Sequence, residues 1–329
     1  MNIRKSFSLI IAAVLIFSLL LSGCGKDKSS ALQEGKLSYN YLSAEECAEV
    51  LGGLDTYYDN LSQKSLDYFT QKKNATKEEF IEYSKEQACD ITDEQQEMLN
   101  EIIASIEQKL EDRGMKLPAN ASFSIASTTM NEAPGAAGYT HGTTIFLLNS
   151  LLDAAVQGEY DRTNMEVVVA HEIFHCLTRN NAEFRKGMYN IINFTVTDSD
   201  FDIPEYVHEQ MIANPDVGHH DSYAAFTIDG EKKNCYLVFL TEDTFENPGD
   251  SFFEKMYTGL VDIDDGSLYS YVDSTDFYDI MGANTNYCED PEECMATNFS
   301  YAVVFGTEGP NGEGYNSPEI IEGIINYMK

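Results

Sequence analysis

Two histidines four residues apart, with a glutamate directly after the first, constrain this chain more than any other stretch: His171-Glu172-Ile173-Phe174-His175. On a helix of 3.6 residues per turn, positions i and i+4 share a face, so both imidazoles reach one point in space. Glu172 then stands about 100° round the axis, beside that point. Two ring nitrogens suit a metal ion, and the carboxylate is placed to take a proton from water at an open coordination position. The flanks predict the helix itself. Thr163 and Glu166 form a T-x-x-E capping box, and Met165, Val169, Ile173 and Leu177 make a buried stripe from which His171 and His175 are displaced. Arg179 falls in the last turn, and Asn180 or Asn181 is expected to close it in the left-handed conformation. The competing reading is an amphipathic helix with two incidental histidines.

A tetrahedral catalytic zinc takes three protein ligands and leaves the fourth position to water. The extended pattern H-E-x-x-H-x-x-G-x-x-H needs Gly at 178 and His at 181, and the chain has Thr178 and Asn181 instead. A glutamate from a later helix is the remaining solution, and Glu292 to Phe299 is the candidate segment. Pro291 suits a first helical position, while Ala296, Phe299 and Val303 continue an apolar face.

Taken together these segments resemble gluzincin-type metallopeptidases of the zincin fold, in which an E-x-x-A-x-x-F helix downstream of H-E-x-x-H supplies the third ligand. Glu293, Ala296 and Phe299 fit that spacing; the alternative register uses Glu292, with Met295 at the alanine position. The resemblance implies an α+β fold with a mixed sheet, an active-site helix and a helical C-terminal part. It implies one Zn²⁺ held by His171, His175 and Glu293, with Glu172 as general base for hydrolysis of a peptide or protein substrate. Thr297 stands where the family often has an acid that orients a zinc-bound ring, leaving Asn298 or a water as substitutes. Gly138 to Leu147 reads as the family's edge strand, which faces the cleft and pairs with extended peptide; a plain amphipathic strand with glycine turns is the other reading. His220, in His219-His220-Asp221, and Tyr287 are candidate hydrogen-bond donors to a developing oxyanion. For His220 the alternative is a surface loop pair. The matching segments cover roughly residues 138–180 and 287–305, a minority of the chain.

The N-terminal residues read as a targeting signal. Arg4 and Lys5 precede an apolar run from Phe7 to Leu21 that is short for a spanning helix and ends in Leu21-Ser22-Gly23-Cys24. This resembles a bacterial lipoprotein cleavage site, which implies a signal peptide over 1–23, lipidation of Cys24 and attachment to the outer face of the membrane. An uncleaved anchor or ordinary signal peptide would equally place the chain outside the cytoplasm. Residues 24–42 are expected to form a tether. The formal charge of −34 makes nucleic acid and anionic lipid poor partners. Between Thr241 and Glu293 fifteen acids face Lys255 alone. That excess reads as solvated surface, or as structural Ca²⁺ held by loops such as Asp262-Ile263-Asp264-Asp265-Gly266, which lack EF-hand spacing. Of the cysteines after Cys24, Cys288 and Cys294 flank Pro291, where a disulfide would pin the start of the third-ligand helix.

Residues 43–118 read as a helical N-terminal region ahead of a catalytic domain over 119–329. Its clearest helix starts at a Thr92–Gln95 capping box, carries Met98, Leu99, Ile102, Ile103, Ile106 and Leu110 at helical period, and ends at Gly114. Ala121 to Thr128 alternates as a strand. Tyr223 to Ile228 and Cys235 to Leu240 flank Asp229-Gly230 as a hairpin, and Asn214-Pro215-Asp216 marks a turn. Two further readings compete with the peptidase: a surface lipoprotein that binds peptide or cell wall on the same scaffold without cutting it, and a solute-binding lipoprotein with an incidental motif.

Overall fold

A first, mixed sheet supports the histidine helix. Its strands are β1 (Ser38–Tyr41), β2 (Ala88–Cys89), β3 (Ser122–Thr128), β4 (Gly138–His141) and β5 (Thr144–Leu148). The order is β1-β3-β5-β4, with β2 beside β3; β1, β3 and β5 run parallel, while β2 and β4 are antiparallel to their neighbours. In this computed structural model, residues 32–33, 35–53, 56–246 and 256–329 are described. The expected signal peptide, the lipidation site Cys24 and the first part of the tether lie outside them. The tether does not extend to residue 42: Leu37 is buried, and Ser38 to Tyr41 pair residue for residue with Ser122 to Ile125. Tyr39 stacks on Phe123 with ring centres 5.7 Å apart, so aromatic packing draws this segment into the sheet.

The sequence from Gly138 to Leu147, expected as one strand, is a hairpin of β4 and β5. Gly142, at φ 58°, occupies the first central position of the two-residue turn, where a positive φ is required. That fold-back leaves β4 at the sheet edge.

Against the sheet lie α5 (Asp93–Asp112), α6 (Asn149–Val156) and α7 (Arg162–Asn180), which carries both histidines. Thr92 and Gln95 cap α5 as expected, and Leu99, Ile102, Ile103, Ile106 and Leu110 are buried in one core with Met165, Val169, Ile173 and Leu177 of α7. The cap of α7 differs from expectation. Asp161 accepts from the N–H groups of Thr163 (2.9 Å) and Asn164 (3.1 Å), and Glu166 forms an ion pair with Lys109 that joins α7 to α5. A carboxylate two residues earlier satisfies two end donors at once, which displaces Thr163 from the capping position. At the other end Asn181 is extended (φ −143°) rather than left-handed, because the chain passes directly into α8 (Ala182–Ile191). Next, α11 (Pro291–Val304) packs along α7, with Phe299 against Phe174 at 5.3 Å, and α12 (Pro318–Tyr327) covers α11 and α8.

A second sheet was only partly foreseen. It is antiparallel, in the order β10-β9-β8-β7-β6: β6 (Thr195–Val196), β7 (Ser222–Ile228), β8 (Glu231–Thr241), β9 (Met256–Asp262) and β10 (Leu268–Ser270). The β7–β8 hairpin turns at Asp229-Gly230 as expected. The acidic run Asp262 to Gly266 is the turn from β9 to β10: Asp262 pairs with Lys233 at 3.0 Å and accepts from Asp264 N–H, and no metal-holding group of acids gathers there among the described residues. At this turn the acids are used by a lysine and by backbone donors. Short helices α9 (Glu205–His208) and α10 (Phe277–Met281) flank this sheet.

The helices of residues 43–118 divide between the first sheet and a smaller cluster. Helix α1 (Ala44–Leu51) packs near β3, while α2 (Thr56–Asp59), α3 (Gln63–Thr70) and α4 (Lys77–Lys85) build a smaller cluster in which Tyr58, Leu66, Phe69 and Phe80 meet Ile212 and Phe245. Among the described residues no helix is long and apolar enough to cross a membrane.

Candidate metal centre and cleft

Helix α7 presents His171 and His175 with ring centres 4.8 Å apart, and α11 brings Glu293 across from 122 residues away. Glu293 Oε2 lies 3.0 Å from His171 Nε2 and 3.8 Å from His175 Nε2. Zinc bonds of about 2.0–2.1 Å in a tetrahedron set donor atoms roughly 3.4 Å apart, and these two separations bracket that value. His175 Nε2 is buried with no hydrogen-bond partner in the structure. A buried orphan nitrogen aimed at a carboxylate costs free energy that a cation would remove, so the donor set fits a metal ion.

Each donor is oriented by a second contact. Glu292 Oε1 lies 3.0 Å from His175 Nδ1, and Glu292 also accepts from the hydroxyls of Thr178 and Tyr189. This answers the open question of which group holds a ring: it is the acid immediately before Glu293. Both glutamates of the two registers reach the histidine pair, Glu292 at Nδ1 of His175 and Glu293 beside both Nε2 atoms. Thr297 Oγ1 stands 3.4 Å from His171 Nδ1. Asn298 is not involved; it bonds Asn284 and the Cys294 carbonyl. Asn214 Nδ2 donates to Glu293 Oε1 at 2.6 Å, leaving Oε2 to the histidines.

Glu172 is 3% exposed and accepts from Thr140 Oγ1 at 2.8 Å, so β4 orients the candidate base. Burial, and then the nearby Asp216 carboxylate, push the Glu172 carboxyl well above its ordinary range. Asp216 itself is pushed up to about 6, first by burial, with His175 pulling the other way. Burial acts to lower the pKa of His171 and of His175, but carboxylates outweigh it and both end raised: Glu293 at His171, Asp216 and Glu292 at His175. Asp216 Oδ1 is 3.8 Å from His175 Nε2, and Glu172, His175 and Asp216 form a second grouping able to hold a cation. The sequence marks Asp216 and Asn214 only as turn residues. An i→i+3 bond from Val217 N–H to Asn214 O makes that turn, but nothing in local spacing signals its reach to a helix 79 residues later.

A cavity of about 390 Å³ opens onto His171 and Glu172. Gly138 and Tyr139 of β4, Val167 and Val168 of α7, and Tyr301 of α11 line it, as do Tyr68 and Phe69 of α3 and Phe239 of β8. Tyr287 stands at its mouth, 41% exposed, with its ring centre 6.3 Å from that of His171. Its hydroxyl lies 3.4 Å from Asn214 Nδ2, and burial of that end, followed by the Glu293 and Glu289 carboxylates, pushes the phenol well up despite the open ring face. His220 is placed elsewhere: it lines a cavity of about 30 Å³ beside Asn214, its ring 6.2 Å from Tyr236, with Nδ1 buried and unbonded. It lies half-buried in the loop before β7, and its neighbour His219 is exposed, 3.2 Å from Asp200. Cys288 and Cys294 are buried thiols with sulfurs 3.9 Å apart.

No family model, curated protein or solved structure matches the chain. The geometry alone defines the class: a mixed α+β protein whose buried histidine and carboxylate groupings can hold a metal ion.

Proposed function

We propose that this chain is an extracytoplasmic, lipid-anchored zinc peptidase, in which His171, His175 and Glu293 hold the metal and Glu172 is the general base. The observation that carries the reading is the convergence of Glu293 on both histidines, next to a buried carboxylate that faces a cleft. Zinc, when bound, polarises a peptide carbonyl and lowers the pKa of a water towards about 7. The chain's own groups supply the rest. Glu172 takes a proton from the attacking water and passes it to the departing amine, with Thr140 Oγ1 fixing the carboxylate. Tyr287, kept protonated by its surroundings, donates to the oxygen on which charge develops. Membrane attachment rests on Cys24 and the apolar run before it.

Glu172→Gln is expected to retain stoichiometric zinc and lose peptide hydrolysis by roughly 10²–10⁴-fold. Elemental analysis beside a peptide-library digest checks this, with His171→Ala as the metal-free control. Full activity in Glu172→Gln refutes the base assignment.

The grouping of Glu172, His175 and Asp216 favours a second reading, a surface lipoprotein that binds peptide or wall material without cutting it. There Glu172 is itself a ligand, so Glu172→Gln loses zinc and the unsubstituted protein cuts no peptide.

A further inference from the structure

The main chain along β4 opens to the cavity for one residue and is then closed. In an antiparallel pair, residues that bond the partner strand alternate with residues that face away. Leu148 N–H donates to Ala137 O at 3.1 Å, so Ala137, Tyr139 and His141 turn towards β5, while Gly138 and Thr140 turn outwards. Both outward groups of Thr140 are taken: its N–H donates to Asp216 Oδ1 (2.6 Å) and its carbonyl accepts from Arg179 Nη1 (2.9 Å). Arg179 also binds the carbonyls of Gly142, Pro215 and Asp216, which clasps the 214–217 turn to the strand. Past this clasp the rings of Tyr57 and Tyr58 close on His141, at 5.5 and 5.3 Å.

Gly138 differs. It lines the cavity, and a Cβ there would come within 3.2 Å of Glu172 Oε1, so the face of the strand at this residue meets the candidate base while its amide and carbonyl turn outwards along the sheet edge. An extended peptide gains main-chain bonds at Gly138 and meets the Asp216 carboxylate two residues on, about 7 Å away. Charge decides which end of a peptide fits. The cavity is lined by Glu172, Asp216 and Glu289 and by no Lys or Arg. With Glu293 and Glu172 offsetting the two charges of a bound zinc, Asp216 and Glu289 are the acids left over, so a terminal carboxylate beside them meets like charge whereas a terminal ammonium can pair with both.

Resting on the peptidase reading, we propose that the cleft is one-sided: the amino terminus of the substrate lodges between Asp216 and Glu289, and the first or second peptide bond is cut. The reaction is ordinary hydrolysis. Water supplies hydroxyl to the acyl carbon and a proton to the departing nitrogen as the C–N bond breaks, with no other reactant.

Two peptides of one sequence, both amidated at the carboxyl end, one with a free amino end and one acetylated, are titrated calorimetrically into zinc-loaded Glu172→Gln protein. The free-amine peptide is expected to bind about tenfold tighter or more. In Asp216→Asn, whose amide oxygen still accepts from Thr140 N–H, that ratio should fall towards one. In digests by the unsubstituted protein, mass spectrometry should find one or two residues removed from the free amino end. Equal binding of the two peptides, binding of neither, or internal cleavage of the acetylated peptide at an equal rate overturns the proposal. Selective binding of the free amine without cleavage by the unsubstituted protein sinks the peptidase reading instead, and leaves the one-sided cleft standing.

Discussion

Glu292 and Glu293 are neighbours in sequence, yet they meet different nitrogens of the histidine pair, because adjacent helical positions diverge by about 100° and straddle α7. The spacing of Glu293 to Ala296 and Phe299 was legible from the residues alone; the contact of Glu292 with His175 was not, since it depends on how two distant helices cross. Glu292→Gln leaves His175 Nδ1 facing a neutral amide while conserving shape. Zinc affinity is expected to fall roughly 10–100-fold with the far-UV circular dichroism unchanged; competition against a chelator measures it, and an unaltered affinity refutes the orienting role. Gly138 gives a second prediction at this scale. An added methyl group would lie 3.2 Å from Glu172 Oε1, 3.1 Å from Leu147 Cδ2 and 3.2 Å from Phe146 O, so Gly138→Ala must shift either the carboxylate or the strand by a few tenths of an ångström. Loss of about tenfold or more in kcat, with zinc content retained, is expected. Unchanged kcat would show that the carboxylate has room to give.

Among the elements, α5 and α7 were legible because their apolar periodicity matches the face each one buries. Their ends were less so. Capping by Thr92 follows from residues three apart, but Asp161 outcompeted Thr163 through geometry that a pattern of letters does not carry. The hairpin of β4 and β5 was read as one strand because Gly142 and Thr143 occupy only two positions and leave the alternation nearly intact. Helix α11 begins at Pro291, between two cysteines whose sulfurs are 3.9 Å apart, whereas a disulfide needs about 2.05 Å. In an oxidising compartment this pair should close with a small movement of the segment preceding the helix. Exposure to oxidised glutathione is then expected to remove two hydrogens by mass and to link the peptides containing Cys288 and Cys294, with Tm raised. Continued alkylation of both thiols after oxidation and unfolding would contradict this.

Across the whole molecule, what the sequence hid was contact between distant parts. Helix α3 supplies Tyr68 and Phe69 to the cleft wall, and β9 lies inside a stretch whose fifteen acids mark it as charged surface although Thr258, Leu260 and Val261 are buried in a sheet. The same assembly gathers Glu172, Asp216, Glu289 and Asp290 in a poorly hydrated region, where burial raises all four. An acid whose folded pKa is raised binds its proton more tightly in the folded state, so stability is lost as pH climbs from the ordinary value near 4 through the raised one, about 6 for Asp216. His171 and His175, also raised, contribute stability that is complete below about pH 6.5 and lost above it. Glu292 and Glu293 are lowered, so what they add is lost only in acid and leaves the alkaline side unaffected. The metal-free protein is therefore expected to melt at a lower temperature at about pH 8.5 than at about pH 6. Zinc reverses the cause: its charge favours ionised carboxylates and neutral imidazoles, and at a hundred times its Kd it adds about 2.7 kcal/mol. Thermal unfolding with chelator and with zinc, at both pH values, checks this. A chelated protein whose Tm rises with pH would mean that the buried acids are not strained by ionisation, and a zinc increment no larger at pH 8.5 than at pH 6 would separate the metal from these carboxylates.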